Sequence, residues 1–131
     1  MTVDPTGALG PFDALASHEF AVLTTYRRNG DAVPTTIWFA NDGDRLYITT
    51  QTGAGKIRRV REDGRVTLAP SDRVGGLLGQ PEIAGRAHEA DPSERPRAAT
   101  ILAKKYGAQW RQIVGSVDDS PERAYIVVER P

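Results

Sequence analysis

Apolar positions in the first half of the chain fall into short runs separated by polar, turn-forming clusters. Phe20 to Thr25 (FAVLTT), Ala32 to Ala40 (AVPTTIWFA) and Arg45 to Thr50 (RLYITT) are rich in β-branched and aromatic residues, which suit a half-buried pleated surface. Between them lie Arg27-Arg28-Asn29-Gly30-Asp31 and Asn41-Asp42-Gly43-Asp44. Their Asn-Gly and Asp-Gly pairs favour the positive φ angles of tight hairpins, so three antiparallel strands are predicted in a meander.

The period then changes. From Lys56 to Asp63, Ile57 and Val60 form a buried seam while Lys56, Arg58, Arg59 and Arg61 cover the remaining surface, which predicts a short helix with Gly64 placed to stop it. Arg65 to Pro70 (RVTLAP) is a fourth strand. Ser71 to Pro81, with three glycines, is a mobile connection, and Glu82 to Ala90 is a fifth strand in which Gly85 marks a bulge or a close backbone approach. Asp91-Pro92-Ser93-Glu94 is a helix-start signal, followed at helical spacing by Ala98, Ile101, Leu102 and Lys105-Tyr106 up to Gly107. A shorter helix, Ala108 to Val114, carries Trp110, Ile113 and Val114. A polar loop from Gly115 to Pro121 then leads to a last strand, Arg123 to Glu129. Upstream, a loose arm over residues 1 to 10 precedes a helix from Pro11 to Ser17, with Phe12, Leu15 and Ala16 on one face. No repeat or boundary divides the chain, so residues 1–131 are expected to form a single, mainly β domain: a small antiparallel barrel with short helices as interruptions.

Composition narrows the classes of function. Seventeen Lys+Arg balance seventeen Asp+Glu, so no global field gathers nucleic acid or an acidic membrane. The local basic run Lys56 to Arg65 is the feature that suggests nucleic acid, and the lack of clustered exposed aromatics on the strands argues against it. Fourteen of the cations are arginine, which favours a bidentate grip on phosphate and carboxylate where it clusters, although genome composition alone produces the same bias and is the simpler account for most of them. The absence of cysteine excludes disulfides, thiolate metal sites and a cysteine nucleophile. No apolar run approaches the length of a spanning helix, and the start MTVDPTGALGPF lacks the basic and apolar regions of a secretion signal, which points to the cytoplasm.

Candidate chemistry concentrates in Thr49-Thr50-Gln51-Thr52-Gly53-Ala54-Gly55-Lys56, where a strand gives way to a helix. Backbone N–H groups and the helix dipole favour an anion at such a junction. A lysine at a helix start stands against the dipole by roughly 0.3 to 1 kcal/mol, so Lys56 with Arg58, Arg59 and Arg61 behind it makes better sense beside a bound anion. The competing account is a solvated basic helix face, partly neutralised by Glu62 and Asp63. This is not a Walker loop, since the glycine spacing is short and Ile57 follows the lysine. His88 has no second ligand at metal spacing and reads as a hydrogen-bonded surface residue, and His18 as a linker residue. Ser71 and Ser116 have no identifiable base, Asp118-Asp119 reads as a solvated turn, and Tyr106 and Trp110 read as helix packing.

The succession LTTYRRNGDAVPTTIWFANDGDRLYITTQTGAGKIRRVREDGRVTLAPSD, with Lys-Tyr-Gly in the late helix, resembles the actinobacterial deazaflavin-dependent branch of the flavin/deazaflavin oxidoreductases. These are relatives of pyridoxamine 5'-phosphate oxidase with a six-stranded antiparallel split β-barrel of the FMN-binding type. The likeness covers about residues 20 to 107 and rests on the order and spacing of its pieces.

That resemblance implies a homodimer with a cofactor site between the subunits. It assigns the coenzyme's phosphate to Lys56 and Arg59, with Arg58 as substitute, and the phosphate and ribityl contacts to Thr49 and Thr50. The ring would pack on Thr35, Thr36, Ile37 and Trp38, although a strand tryptophan is also a common core residue. The branch uses coenzyme F-420, whereas its oxidase relatives use FMN. Arginines that the FMN enzymes carry on the second strand and just before the lysine are missing, since Thr35 to Phe39 are uncharged and Gly55 precedes Lys56. The expected activity is hydride transfer from reduced F-420 to a small electron-poor substrate. The alternatives are an FMN-dependent oxidase-like enzyme and a deazaflavin-binding protein without turnover.

Overall fold

In the computed structural model, which describes residues 11–79, 82–114 and 123–131, six antiparallel strands close into a barrel. β1 (Phe20–Tyr26), β2 (Ala32–Asp42) and β3 (Arg45–Gln51) form the predicted meander, and helix α1 (Gly55–Glu62) follows. Next come β4 (Arg65–Ser71), β5 (Ile83–Glu89), helices α2 (Arg95–Tyr106) and α3 (Ala108–Val114), and β6 (Arg123–Glu129). The order around the barrel is β1-β2-β3-β6-β5-β4, and β4 pairs back onto β1. The expected six-stranded split barrel is thus the observed architecture. The arm over residues 1 to 10, Gln80-Pro81, and the loop from Gly115 to Pro121 with Ser116 and Asp118-Asp119 lie outside the described residues, as do the side chains of Ile113 and Val114.

Two apolar clusters explain why β6 reads as an unbroken apolar run. Ala124, Ile126 and Val128 face the barrel interior with Leu23, Phe39, Ile48 and Leu68. Tyr125 and Val127 face outward, beneath Ala98, Ala99, Leu102 and Tyr106 of α2 and Trp110 of α3. A strand covered on both faces cannot alternate apolar with polar positions. Helix α1 contributes Ile57 and Val60 to the interior cluster, and this burial fixes its rotation and leaves Lys56 half-buried beside the end of β3. Each such aliphatic side chain stabilises the fold by about 1.5–3 kcal/mol.

Polar contacts hold the outer helices. Asp91 Oδ1 accepts the Glu94 N–H at 3.0 Å while Glu94 Oε1 accepts the Asp91 N–H at 3.1 Å, a reciprocal pair that closes the turn leading into α2. Arg97 grips Asp42 at 2.6 and 2.8 Å, and these bonds lower the Asp42 carboxyl pKa below its ordinary value. His88 is hydrogen-bonded, with Nε2 3.0 Å from Glu94 Oε1. Among the described residues, no helix is long and apolar enough to cross a membrane.

Several local expectations are corrected. In place of a helix from Pro11 to Ser17 there is a single 3-10 turn, Asp13–Leu15. Its tighter winding stacks residues three apart and so buries Phe12 and Leu15 together. In the first hairpin only Gly30 takes a positive φ, +94°; Asn29 instead accepts the Asp31 N–H through Oδ1 at 3.0 Å. Helix α1 ends at Glu62, and Gly64 does not cap it. The glycine serves a close approach, since its carbonyl accepts the Ala87 N–H at 2.7 Å and a Cβ would stand 3.0 Å from Ala87 O. At Gly85 the register with Val66 is regular, so this is a close approach and not a bulge.

Candidate functional site

The strand-to-helix junction is built by three elements meeting end to end. Thr49 and Thr50 pair with Tyr125 and Ala124 of β6, and Gln51 pairs with Arg123, which brings that arginine to the junction from the other end of the chain. The β3–α1 turn closes with the Ala54 N–H on Gln51 O at 3.1 Å, and α1 starts at Gly55 with no side-chain cap and no acidic residue in its first turn. The Ile57 N–H bonds back to Ala54 O at 3.1 Å, and the N–H groups of Gly55 and Lys56 ahead of it suit an external acceptor.

A cleft of about 430 Å³ opens here. Six of the residues expected at the site line it: Thr36, Ile37, Trp38, Thr49, Thr50 and Lys56. Lys56 Nζ donates to Thr50 Oγ1 at 3.0 Å, and Arg123 donates to Thr49 Oγ1 through Nε and Nη2 at 3.2 and 2.9 Å. Each threonine hydroxyl thus accepts from a cation, which leaves its own O–H to donate into the cleft. Burial first, then the nearby Arg59 and Arg123, lower the Lys56 pKa below that of an ordinary lysine. Burial likewise lowers that of Arg123. Among the described residues no carboxylate pairs with Lys56, Arg59 or Arg123. Like charges converging without a counterion form a site that an anion relieves.

Two of the expected residues stand elsewhere. Thr35 donates to Leu23 O at 3.4 Å and lines a neighbouring groove with Pro34, Val74 and Leu77. Arg59 bends back along α1: Nε donates to the buried Thr25 Oγ1 at 2.6 Å, and a Cβ on Gly55 would meet its Nη1 at 2.8 Å. From there it acts on Lys56 by charge alone. The substitute, Arg58, lines a separate cavity with Arg61 and Arg95.

Arg123, Arg73 and Phe20 line the cleft without having been expected there. The opposition of Gln51 and Arg123 follows from the β3–β6 register, which no local pattern encodes. Trp38 stacks on Tyr106 with centroids 4.1 Å apart and planes 6° from parallel. The Tyr106 hydroxyl accepts the Phe39 N–H at 2.9 Å and donates to Glu19 O at 2.7 Å, so the platform is fixed to the barrel wall.

A closed antiparallel six-stranded barrel with a cation-lined cleft at its β3–α1 junction has the fold of the split barrels that bind flavin-type cofactors. The pattern of the pyridoxamine 5'-phosphate oxidase family matches residues 12–129, and the chain belongs to that family. No curated protein matches it by sequence. Among solved structures it is similar to an F-420 reductase, at 22% identity and a TM-score of 0.57, over 91% of this chain and 92% of that one. It is similar to a conserved hypothetical protein from Mycobacterium tuberculosis at 19% identity and a TM-score of 0.65, over 88% and 75%. It is also similar to the heme storage protein of Vibrio cholerae at 10% identity and a TM-score of 0.65, over 88% and 83%. At these identities the likeness is one of fold.

Proposed function

We propose that the protein is a coenzyme F-420-dependent oxidoreductase, a cytoplasmic homodimer with its cofactor sites between subunits. The observation that carries this reading is the convergence of Lys56 and Arg123 on Thr50 and Thr49, with no carboxylate in answer among the described residues, at one end of a cleft whose wall is Thr36, Ile37 and Trp38. The donor set fits a phosphate: two cations, two hydroxyls and the uncapped start of α1. Trp38, held by Tyr106, supplies a flat apolar wall for a ring system.

The deazaflavin, when bound, supplies hydride from C5 to a small electron-poor acceptor. The chain contributes the rest. Lys56 and Arg123 hold the phosphate, Thr49 and Thr50 donate their hydroxyl protons to its oxygens, and the β2 wall orients the ring and excludes water from one face. The uncharged run Thr35 to Phe39 favours the deazaflavin over FMN, since no cation stands where the FMN enzymes carry one.

The test is a fluorescence titration with F-420 and, separately, FMN, on the wild type, Lys56→Ala and Arg123→Ala. The expected result is micromolar or tighter F-420 binding, weakened at least tenfold by each substitution, a loss of about 1.4 kcal/mol. Tighter FMN binding moves the function to the oxidase side, and binding of neither refutes the redox reading. Tight F-420 binding with no acceptor that oxidises the reduced coenzyme above background identifies a carrier instead.

A further inference from the structure

Beyond the β2 wall of the cleft lies a second recess of about 390 Å³, lined by Glu19, Phe20, Trp38, Arg73, Gln109 and Gln112. Phe20, Trp38 and Arg73 line both spaces, so a ring laid along β2 would have this recess at its edge. The recess combines aromatic faces, which accept a flat molecule, with primary amides that offer both donors and acceptors. Its positive charge is the Arg73 guanidinium.

Arg73 is exposed, yet its backbone is held in place. Asp72 Oδ1 accepts the N–H groups of Val74 at 3.0 Å and Gly76 at 2.7 Å, and the Asp72 N–H donates to Gly76 O at 3.0 Å. Gly75 has φ +87°, and a Cβ there would stand 2.9 Å from Thr36 Oγ1, so the turn is seated directly on the cleft strand. The guanidinium carbon lies 5.6 Å from the centroid of Phe20. No ion pair joins Arg73 to a carboxylate among the described residues. Glu19 shares the recess, but its charge acts on Lys105 and Tyr106 without pairing to Arg73. A guanidinium on a fixed turn, beside aromatic faces and paired with no carboxylate among the described residues, is suited to the oxyanion of a flat molecule.

We propose that Arg73 binds the carboxylate or phosphate oxyanion of a planar substrate seated in this recess. The acceptor of the reaction is then a flat acid. The inference rests on the cofactor reading for its place beside the ring, while the Arg73 site itself is testable without the coenzyme.

The probes are 2-naphthoate, 2-naphthyl phosphate and the neutral 2-naphthamide, titrated into the wild type, Arg73→Gln and Arg73→Lys, with and without F-420. Binding is followed by the NMR signals of the Gln109 and Gln112 side-chain amides. The expected result is at least fivefold tighter binding of an acid than of the amide, loss of that preference in Arg73→Gln and partial rescue in Arg73→Lys. The tighter of the two acids identifies the oxyanion. Equal binding of acids and amide overturns the proposal, as do unshifted Gln109 and Gln112 signals and equal weakening of all three probes in Arg73→Gln. Arg73-dependent acid binding in a protein that binds no F-420 overturns the cofactor reading alone. F-420 binding with acid binding indifferent to Arg73 overturns the substrate proposal alone.

Discussion

Lys105 on α2 has its ammonium out of solvent with no hydrogen-bond acceptor among the described residues, 3.6 Å from the centroid of the Phe39 ring. Burial lowers its pKa from 10.5 to about 8, against a smaller opposing pull from Glu19. A shift of that size corresponds to about 3 kcal/mol against the charged form, and because the side-chain stem reaches solvent, screening reduces this to about 1–2 kcal/mol. Lys105→Met keeps the stem's volume, removes the charge and forfeits a cation–π contact of about 0.5–1 kcal/mol. The net expectation is stabilisation by about 1 kcal/mol at pH 6.5. The sign reverses the usual behaviour of a paired cation. Between pH 8 and 10.5 the folded wild type holds fewer protons than its unfolded chain, so it gains stability as pH rises through that window. The advantage of Lys105→Met is therefore full below about pH 8 and fades toward 10.5. Urea unfolding of both proteins at pH 6.5 and pH 10 measures it. A variant less stable at pH 6.5, or a difference that does not change with pH, would refute the reasoning.

Two further substitutions test the framework around the site. In Gly85→Ala the new Cβ would meet Val128 Cγ1 at 2.6 Å and Glu129 O at 3.2 Å, with Val128 fully buried, so a loss of about 1–3 kcal/mol in urea unfolding is expected. Tyr106→Phe deprives the Phe39 N–H of its 2.9 Å acceptor and should lower stability by about 1–3 kcal/mol, read as a lower urea midpoint, while the ring stack on Trp38 survives.

The barrel was legible because its strands announce themselves locally. The β1–β2 and β2–β3 hairpins each carry a glycine turn between β-forming runs, and α1 shows its buried seam in Ile57 and Val60. Lys56 was legible for the same reason, since it stands where a strand visibly becomes a helix. Arg123 was not. It reaches Thr49 only because β6 closes on β3, a pairing between segments 74 residues apart. The family resemblance assigns Arg59 to the phosphate beside Lys56, but a long side chain need not project where its Cβ does. With no Cβ on Gly55 in the way, the guanidinium folds back to Thr25. Arg73 was hidden by the opposite circumstance: its run of glycines suggested a mobile connection, and the bonds of Asp72 hold the turn instead.

Closure of the barrel also bears on how the protein can associate. With β4 paired to β1, every strand has two neighbours, but the pairing is staggered: β2 pairs with β1 over Ala32–Ile37 and with β3 over Trp38–Asp42, so among the described residues each half of β2 has a strand partner on one side only. A second copy can therefore meet this one along the open side of Ala32–Ile37 as well as through side chains. The two routes are separable: an extended peptide that mimics a strand would compete with pairing along β2, whereas a side-chain interface would answer to single substitutions on its surface.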